Sequence, residues 1–303
     1  MFNPLYEAQA NLLIECIPQV AKHECFALKG GTAINLFLRD LPRISVDLDL
    51  TYLPLRSRDE SLQDIEKALT LIKTDIERYV VGTRIWERSI QGHVSKLSVA
   101  RAGIEIKIEV NLVVRGSVRK PILRELSTAA QNQFGASARI QILAVEDIYG
   151  GKLCAALDRQ HPRDLFDVSQ LLAESGITPA IRRAFVVYLA SHPRPMHELL
   201  NPNLVNINNA FEEQFAGMTR GSVTLNELLE TRQRLVHLLP HSLDSSERRF
   251  LISMKEGEPE WDLLGIADIA RMPALQWKLL NIRKMDAEKR VFALEKLHHF
   301  LNM

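Results

Sequence analysis

The sequence predicts an α+β protein in which a small mixed β-sheet with helices occupies residues 1–144 and an all-helical part occupies residues 145–303. Two observations carry this. Stretches in which apolar and polar residues alternate, as in half-buried strands, all fall before residue 144. Beyond that point apolar residues recur at three- and four-residue spacing, as on amphipathic helices. With 303 residues, 46% hydrophobic and 25% charged, the chain is long enough for two modest domains and too apolar for disorder.

Residues 5–23 place Leu5, Leu12, Leu13, Cys16, Ile17 and Val20 on one helical face, with a kink expected at Pro18. A short apolar run, 26–28, leads into Gly30 and Gly31, which permit a tight turn with uncovered backbone N–H groups. Thr32 then opens a helical pattern, and such a helix start can receive an anion. After Pro42, Ile44, Val46, Leu48 and Leu50 alternate with Ser45, Asp47, Asp49 and Thr51, which predicts a strand with both aspartates on one face. Residues two apart on a strand lie about 6.6 Å apart, close enough for both carboxylates to converge on one Mg²⁺ or to bridge two. A solvent-facing acidic edge also satisfies the Asp-x-Asp pattern taken alone.

Ser57 and Glu60 suit the capped start of a second helix over 57–78. Weaker alternation in 79–91 and 93–100 predicts paired strands turning at Gly92, and Ala102-Gly103 turns the chain into a clear strand over 104–110. If that strand lies beside the Asp47 strand, Glu109 joins the two aspartates; otherwise Glu105, Lys107 and Glu109 offset one another on a solvated face. Arg115, Arg119, Lys120 and Arg124 form a basic segment that suits either a phosphate-lined groove or a solvated loop. Residues 140–143 read as a closing strand.

In the helical half, Glu146 and Asp147 suit a first turn, and Lys152 and Arg159 fall near one face two turns apart. His161-Pro162 breaks this helix and Pro162 opens the next, which carries Arg163, Asp164 and Asp167. Arg–Asp pairs at such a corner can be purely structural. Further helices are expected near 179–191, 206–215, 224–239 and 286–301, with joints at Pro193, Pro195, Pro202 and Gly257-Glu258-Pro259.

Composition narrows the function. A net charge of +1 excludes a whole-surface lure for nucleic acid, so any such site must be a local basic channel. Cys16, Cys25 and Cys154 are scattered among apolar neighbours with no zinc or disulfide spacing, which suits buried thiols in a reducing compartment. No apolar run approaches the ~20 residues of a membrane helix. A cytoplasmic protein without a membrane partner is the expectation.

Lys29-Gly30-Gly31-Thr32-Ala33, followed by Arg43-Ile44-Ser45-Val46-Asp47-Leu48-Asp49-Leu50, resembles the first motif of the nucleotidyltransferase superfamily, and more closely the AbiEii/AbiGii-type toxins of type IV toxin-antitoxin and phage-defence systems. Lys152 and Arg159, with Arg163-Asp164-Leu165 and Asp167, are similar to a later motif of that family, and Trp277 to Asn281 to its C-terminal end. The resemblance implies a nucleotidyltransferase-like fold and an NTP-dependent enzyme with one or two Mg²⁺ ions on Asp47, Asp49 and Glu109. It makes Lys152 the fourth catalytic residue, and implies nucleotide contacts from Gly30, Gly31, Thr32, Ser45, Lys152, Arg159, Arg163, Asp164 and Asp167. It further implies an RNA or tRNA acceptor and a cognate antitoxin. A small-molecule nucleotidyltransferase of the antibiotic-modifying kind, or a catalytically silent nucleotide- or partner-binding module, are the competing readings.

Overall fold

The computed structural model describes residues 2–301 and divides into two compact units, one of residues 2–144 with 216–222, the other of 145–215 with 223–301. The division by chain order at 144/145 does not contain the return of 216–222 to the first unit.

The first unit is built on a seven-stranded mixed sheet, with strands β1 (Phe26–Lys29), β2 (Asp47–Tyr52), β3 (Arg84–Ile90), β4 (His93–Arg101), β5 (Ile104–Val110), β6 (Ile122–Glu125) and β7 (Arg139–Ile142) in the spatial order β3-β4-β5-β2-β1-β7-β6. The two hairpins follow from their turn residues. Gln91-Gly92 and Ala102-Gly103 all have positive φ, the conformation that lets a two-residue loop match the twist of its strands. Helix α1 (Pro4–Ala21), capped by the Asn3 side chain, and helix α3 (Arg58–Tyr79), opened by the Ser57–Glu60 capping box, pack against the sheet. They bury Leu97, Val99, Ile106 and Ile108.

The structure departs from the sequence reading at three places. Strand β2 starts at Asp47 rather than at residue 44, because the preceding backbone pairs elsewhere: the Ile44 N–H donates to the Met218 carbonyl at 2.8 Å and Arg43 bridges to Thr219. Ser45 and Thr51, expected on a polar face, are buried. The basic segment ends in an edge strand, β6, and a short helix α4 (Thr128–Phe134) follows it, capped by Ser127 and closed by Gly135.

The second unit is helical, as its periodicity predicts. It comprises α5 (Val145–Asp158), α6 (Pro162–Glu174), α7 (Pro179–Ser191), α8 (Met196–Leu200), α9 (Asn208–Gln214), α10 (Leu225–Ser242), α11 (Ser245–Glu256), α12 (Pro273–Arg283) and α13 (Ala287–Leu301). Helix α11 escaped the sequence reading although its start, Asp244 with Glu247, is a capping box. Helices α5 and α7 approach closely because Gly150 has no side chain: a Cβ there would stand 2.8 Å from the Phe185 backbone nitrogen. No helix among the described residues is long and apolar enough to cross a membrane.

Candidate active site

The strand register brings the carboxylates to neighbouring positions. Strands β2 and β5 run parallel, with Asp47 beside Lys107 and Asp49 beside Glu109. Strand β1 places Lys29 on the other side of Asp49. Because paired residues share a face, Asp47, Asp49 and Glu109 project from the same side of the sheet, each partly exposed, while Leu48, Leu50, Ile108 and Val110 are buried on the other.

The two glycines do something different from the expected turn. Helix α2 (Gly30–Thr32) begins at Gly30, not at Thr32, and runs on as a π-helical stretch, Ala33–Leu38. Gly30 has φ of +73°, and a Cβ on it would lie 2.5 Å from Asp49 Oδ2. A Cβ on Gly31 would lie 2.5 Å from Arg43 Nη2 and 3.0 Å from Ser45 Oγ. The pair therefore lets the helix start close down on β2 and on the residues before it. Thr32 Oγ1 donates to the Asp47 carbonyl at 2.5 Å and lies 3.0 Å from Ser45 Oγ. Both hydroxyls are buried, so in this structure they tie α2 to the start of the Asp-x-Asp strand.

All three carboxylates are hard oxygen donors of the type a Mg²⁺ or Mn²⁺ ion takes. Among the described residues, however, no group of three or more His, Cys, Asp and Glu side chains is arranged to hold a metal ion. One cause is visible: Glu109 Oε1 is held at 2.5 Å by Lys96 Nζ from β4. Sequence reasoning missed Lys96, whose signal was its register opposite Glu109 in the hairpin. Arg43, also missed, is 2% exposed beneath Gly31. Arg115 does not line a groove. It is buried, its Nη1 lies 3.4 Å from the Ser57 carbonyl, and burial pushes its pKa down.

In the second unit the α5–α6 corner carries the other predicted residues. Lys152 Nζ sits 2.6 Å from Asp164 Oδ1 and 2.9 Å from Asp167 Oδ2, with all three side chains buried. Arg159 donates from Nε to Asp164 Oδ2 at 2.5 Å and from Nη2 to Oδ1 at 3.0 Å, yet its side chain is 59% exposed. Burial alone would raise the Asp164 pKa; the charges of Lys152 and Arg159 outweigh it and hold the carboxyl well below the usual carboxylate range. The corner is set by His161, whose Nδ1 accepts from the Arg163 backbone N–H at 3.1 Å and caps α6, while Nε2 meets Gln214 Oε1 at 3.0 Å. Arg163 is half-buried in the first turn of that helix. Nearby on α5 an unforeseen pair forms, the Tyr188 hydroxyl donating to the buried Asp147 at 2.9 Å.

Comparison with known proteins is consistent with this arrangement. A family model described as nucleotidyl transferase AbiEii toxin, type IV TA system, matches residues 11–280. Among solved structures, the nucleotidyltransferase toxin MenT4 of Mycobacterium tuberculosis superposes with a TM-score of 0.58 at 17% sequence identity, over 92% of each chain. At that identity the likeness concerns the fold. No curated protein matches the chain in sequence.

Proposed function

We propose, for a chain that belongs to the AbiEii family of nucleotidyltransferase toxins, a transfer of a nucleoside monophosphate from an NTP to a hydroxyl of an RNA acceptor, with tRNA the first candidate. That it is a nucleotidyltransferase using an NTP follows from the family, as does an antitoxin partner. The observation that supports a carboxylate-based transfer site is the register of β2 against β5, which seats Glu109 beside Asp49 with Gly30 making room for the Asp49 carboxylate; the RNA acceptor rests on the family resemblance. In the reaction the acceptor oxygen forms a bond to the α-phosphorus, the bond to the pyrophosphate oxygen breaks, pyrophosphate leaves and the hydroxyl proton is lost to solvent or a base.

Asp47 and Asp49, joined by Glu109 once it parts from Lys96, are the residues that would hold one or two Mg²⁺ ions. Such an ion, when bound, neutralises the triphosphate and lowers the pKa of the attacking hydroxyl. Gly30, Gly31, Thr32 and Ser45 act by fixing the helix start against β2. Within the second unit, Lys152 is ordered between Asp164 and Asp167, and Asp164 in turn holds Arg159 in one orientation. The test is incubation of the purified protein with each labelled NTP, Mg²⁺ and either total RNA or a panel of small hydroxyl compounds. Label in an RNA band, absent with Asp49→Asn, is the expected result. Label only on a small compound would transfer the assignment to the antibiotic-modifying class, and nucleotide binding without turnover would make the chain a silent module.

A further inference from the structure

The polar face that carries the carboxylates continues past them to the sheet edge. Following the register outward from Asp49, the same-face positions are Glu109 on β5, Lys96 on β4 and Arg88 on β3; from Asp47 they are Lys107, Ser98 and Trp86. Arg84 lies two residues before Trp86 and so shares its face. The opposite face of β3 is the covered one, since Glu87 pairs with Lys73 of α3 at 2.9 Å. Trp86, in contrast, is 51% exposed, and among the described residues Arg84, Arg88 and Lys107 make no side-chain hydrogen bond or ion pair.

Charge on an edge strand is an ordinary defence against unwanted strand pairing, and arginines alone there carry no message. A large exposed indole defeats that purpose, because it supplies the apolar surface that such charges are meant to break up. What an exposed aromatic ring between two unpaired guanidinium groups does fit is a nucleobase stacked on the ring with its flanking phosphates on the arginines. Three strand spacings, about 14 Å, separate β3 from β2, so a strand of nucleotides laid over Trp86 would run along Lys107 and Lys96 to the carboxylates.

We infer that the β3–β4–β5 face, through Trp86, Arg84, Arg88 and Lys107, binds the single-stranded end of the acceptor RNA and leads it to Asp47 and Asp49. The inference rests on the RNA-acceptor reading above. The chemistry selects a single strand, because the stacking platform needs an unpaired base.

The experiment measures binding of a labelled single-stranded RNA oligonucleotide across a salt series, alongside NTP binding and transfer, for wild type, Trp86→Ala, Trp86→Phe and the double variant Arg84→Ala/Arg88→Ala. Trp86→Ala is expected to weaken RNA binding about 5- to 150-fold, with Trp86→Phe keeping most of it. The double variant should flatten the salt slope by roughly 0.7 per lost phosphate contact. NTP binding should not change in any of them, which also reports that the site is folded. Duplex RNA of the same length should bind wild type and Trp86→Ala alike. If wild type labels RNA while all variants bind it equally well, the inference is overturned and the transferase reading stands. If wild type neither binds nor labels RNA, both fall together. Loss of affinity for a protein partner with RNA affinity intact would likewise overturn the inference, making the face a protein-docking surface.

Discussion

The carboxylate of Asp49 lies over Gly30 so closely that a Cβ at residue 30 would stand 2.5 Å from Asp49 Oδ2. The backbone of Gly30 is at the same time in the left-handed region, at φ of +73°. A side chain here meets two penalties, one of conformation and one of collision.

Gly30→Ala is therefore expected to cost about 2 kcal/mol or more of stability, since the left-handed backbone alone accounts for roughly 1–2 kcal/mol. It should also displace Asp49 and abolish transfer. Denaturant unfolding with a parallel NTP assay checks this. A variant of unchanged midpoint and full activity would contradict the close approach. Gly31→Ala should behave similarly, because the Arg43 guanidinium that it strikes is buried and has little room to withdraw.

Asp49→Asn should keep the fold and lose transfer by about 100-fold or more, since a carboxylate aimed at developing charge or a bound cation contributes on that scale. The melting temperature is the discriminating measurement. An unchanged melting temperature with lost activity assigns Asp49 to the chemistry, whereas a collapse assigns it to the packing of α2.

Lys152→Ala is expected to damage the fold as well as nucleotide use. The ammonium is buried between Asp164 and Asp167, and removing one partner from a buried charge network costs about 3–5 kcal/mol. Lys152→Arg should not restore it, because a planar fork cannot meet both carboxylates from the same enclosed point. Urea midpoints of the three proteins give the answer. A midpoint for Lys152→Ala within error of wild type would show that the network adds nothing to stability.

Acid should act on this corner through His161 before it acts through Asp164. Burial lowers the His161 pKa below its ordinary ~6.5, and its Nδ1 must be unprotonated to accept from the Arg163 N–H. A group whose folded pKa is depressed contributes fully above its unfolded pKa and loses that contribution as pH falls through the folded value. Stability should thus drop below about pH 6.5 by around 1 kcal/mol, the usual value of a helix cap. His161→Asn, which caps without titrating, should flatten that part of the profile. The Asp164 contribution has the same sign lower on the scale: present above about pH 4, it should fade only in stronger acid, well below the ordinary carboxylate range.

Much of the architecture was legible in local chemistry. Gln91-Gly92 and Ala102-Gly103 specify tight hairpins whatever surrounds them, the Ser57–Glu60 box starts α3, and His161-Pro162 separates α5 from α6. The apolar–polar alternation of β5 states which face is buried. These features depend on a few consecutive residues and on steric rules that hold in any fold.

What the sequence by itself determined, then, is most of the elements, the faces they bury and the residue types available for chemistry: Asp47 and Asp49 together, Glu109 three strands further along the chain, and Lys152 ahead of Asp164 and Asp167. Tertiary structure alone decided their partners. Register placed Glu109 beside Asp49 but also opposite Lys96, which engages it. The return of residues 216–222 took the backbone of Arg43 and Ile44 out of β2. Close approach made Gly30 and Gly31 spacers beneath Asp49 and Arg43 rather than an open turn, and burial removed Arg115 from the basic groove its neighbours suggested. The physical reason is common to all four. Burial, and pairing between strands that no tight turn connects, are long-range quantities, set by which distant backbone groups find each other once solvent is excluded; only the Lys96–Glu109 register could be counted outward from the Ala102-Gly103 turn.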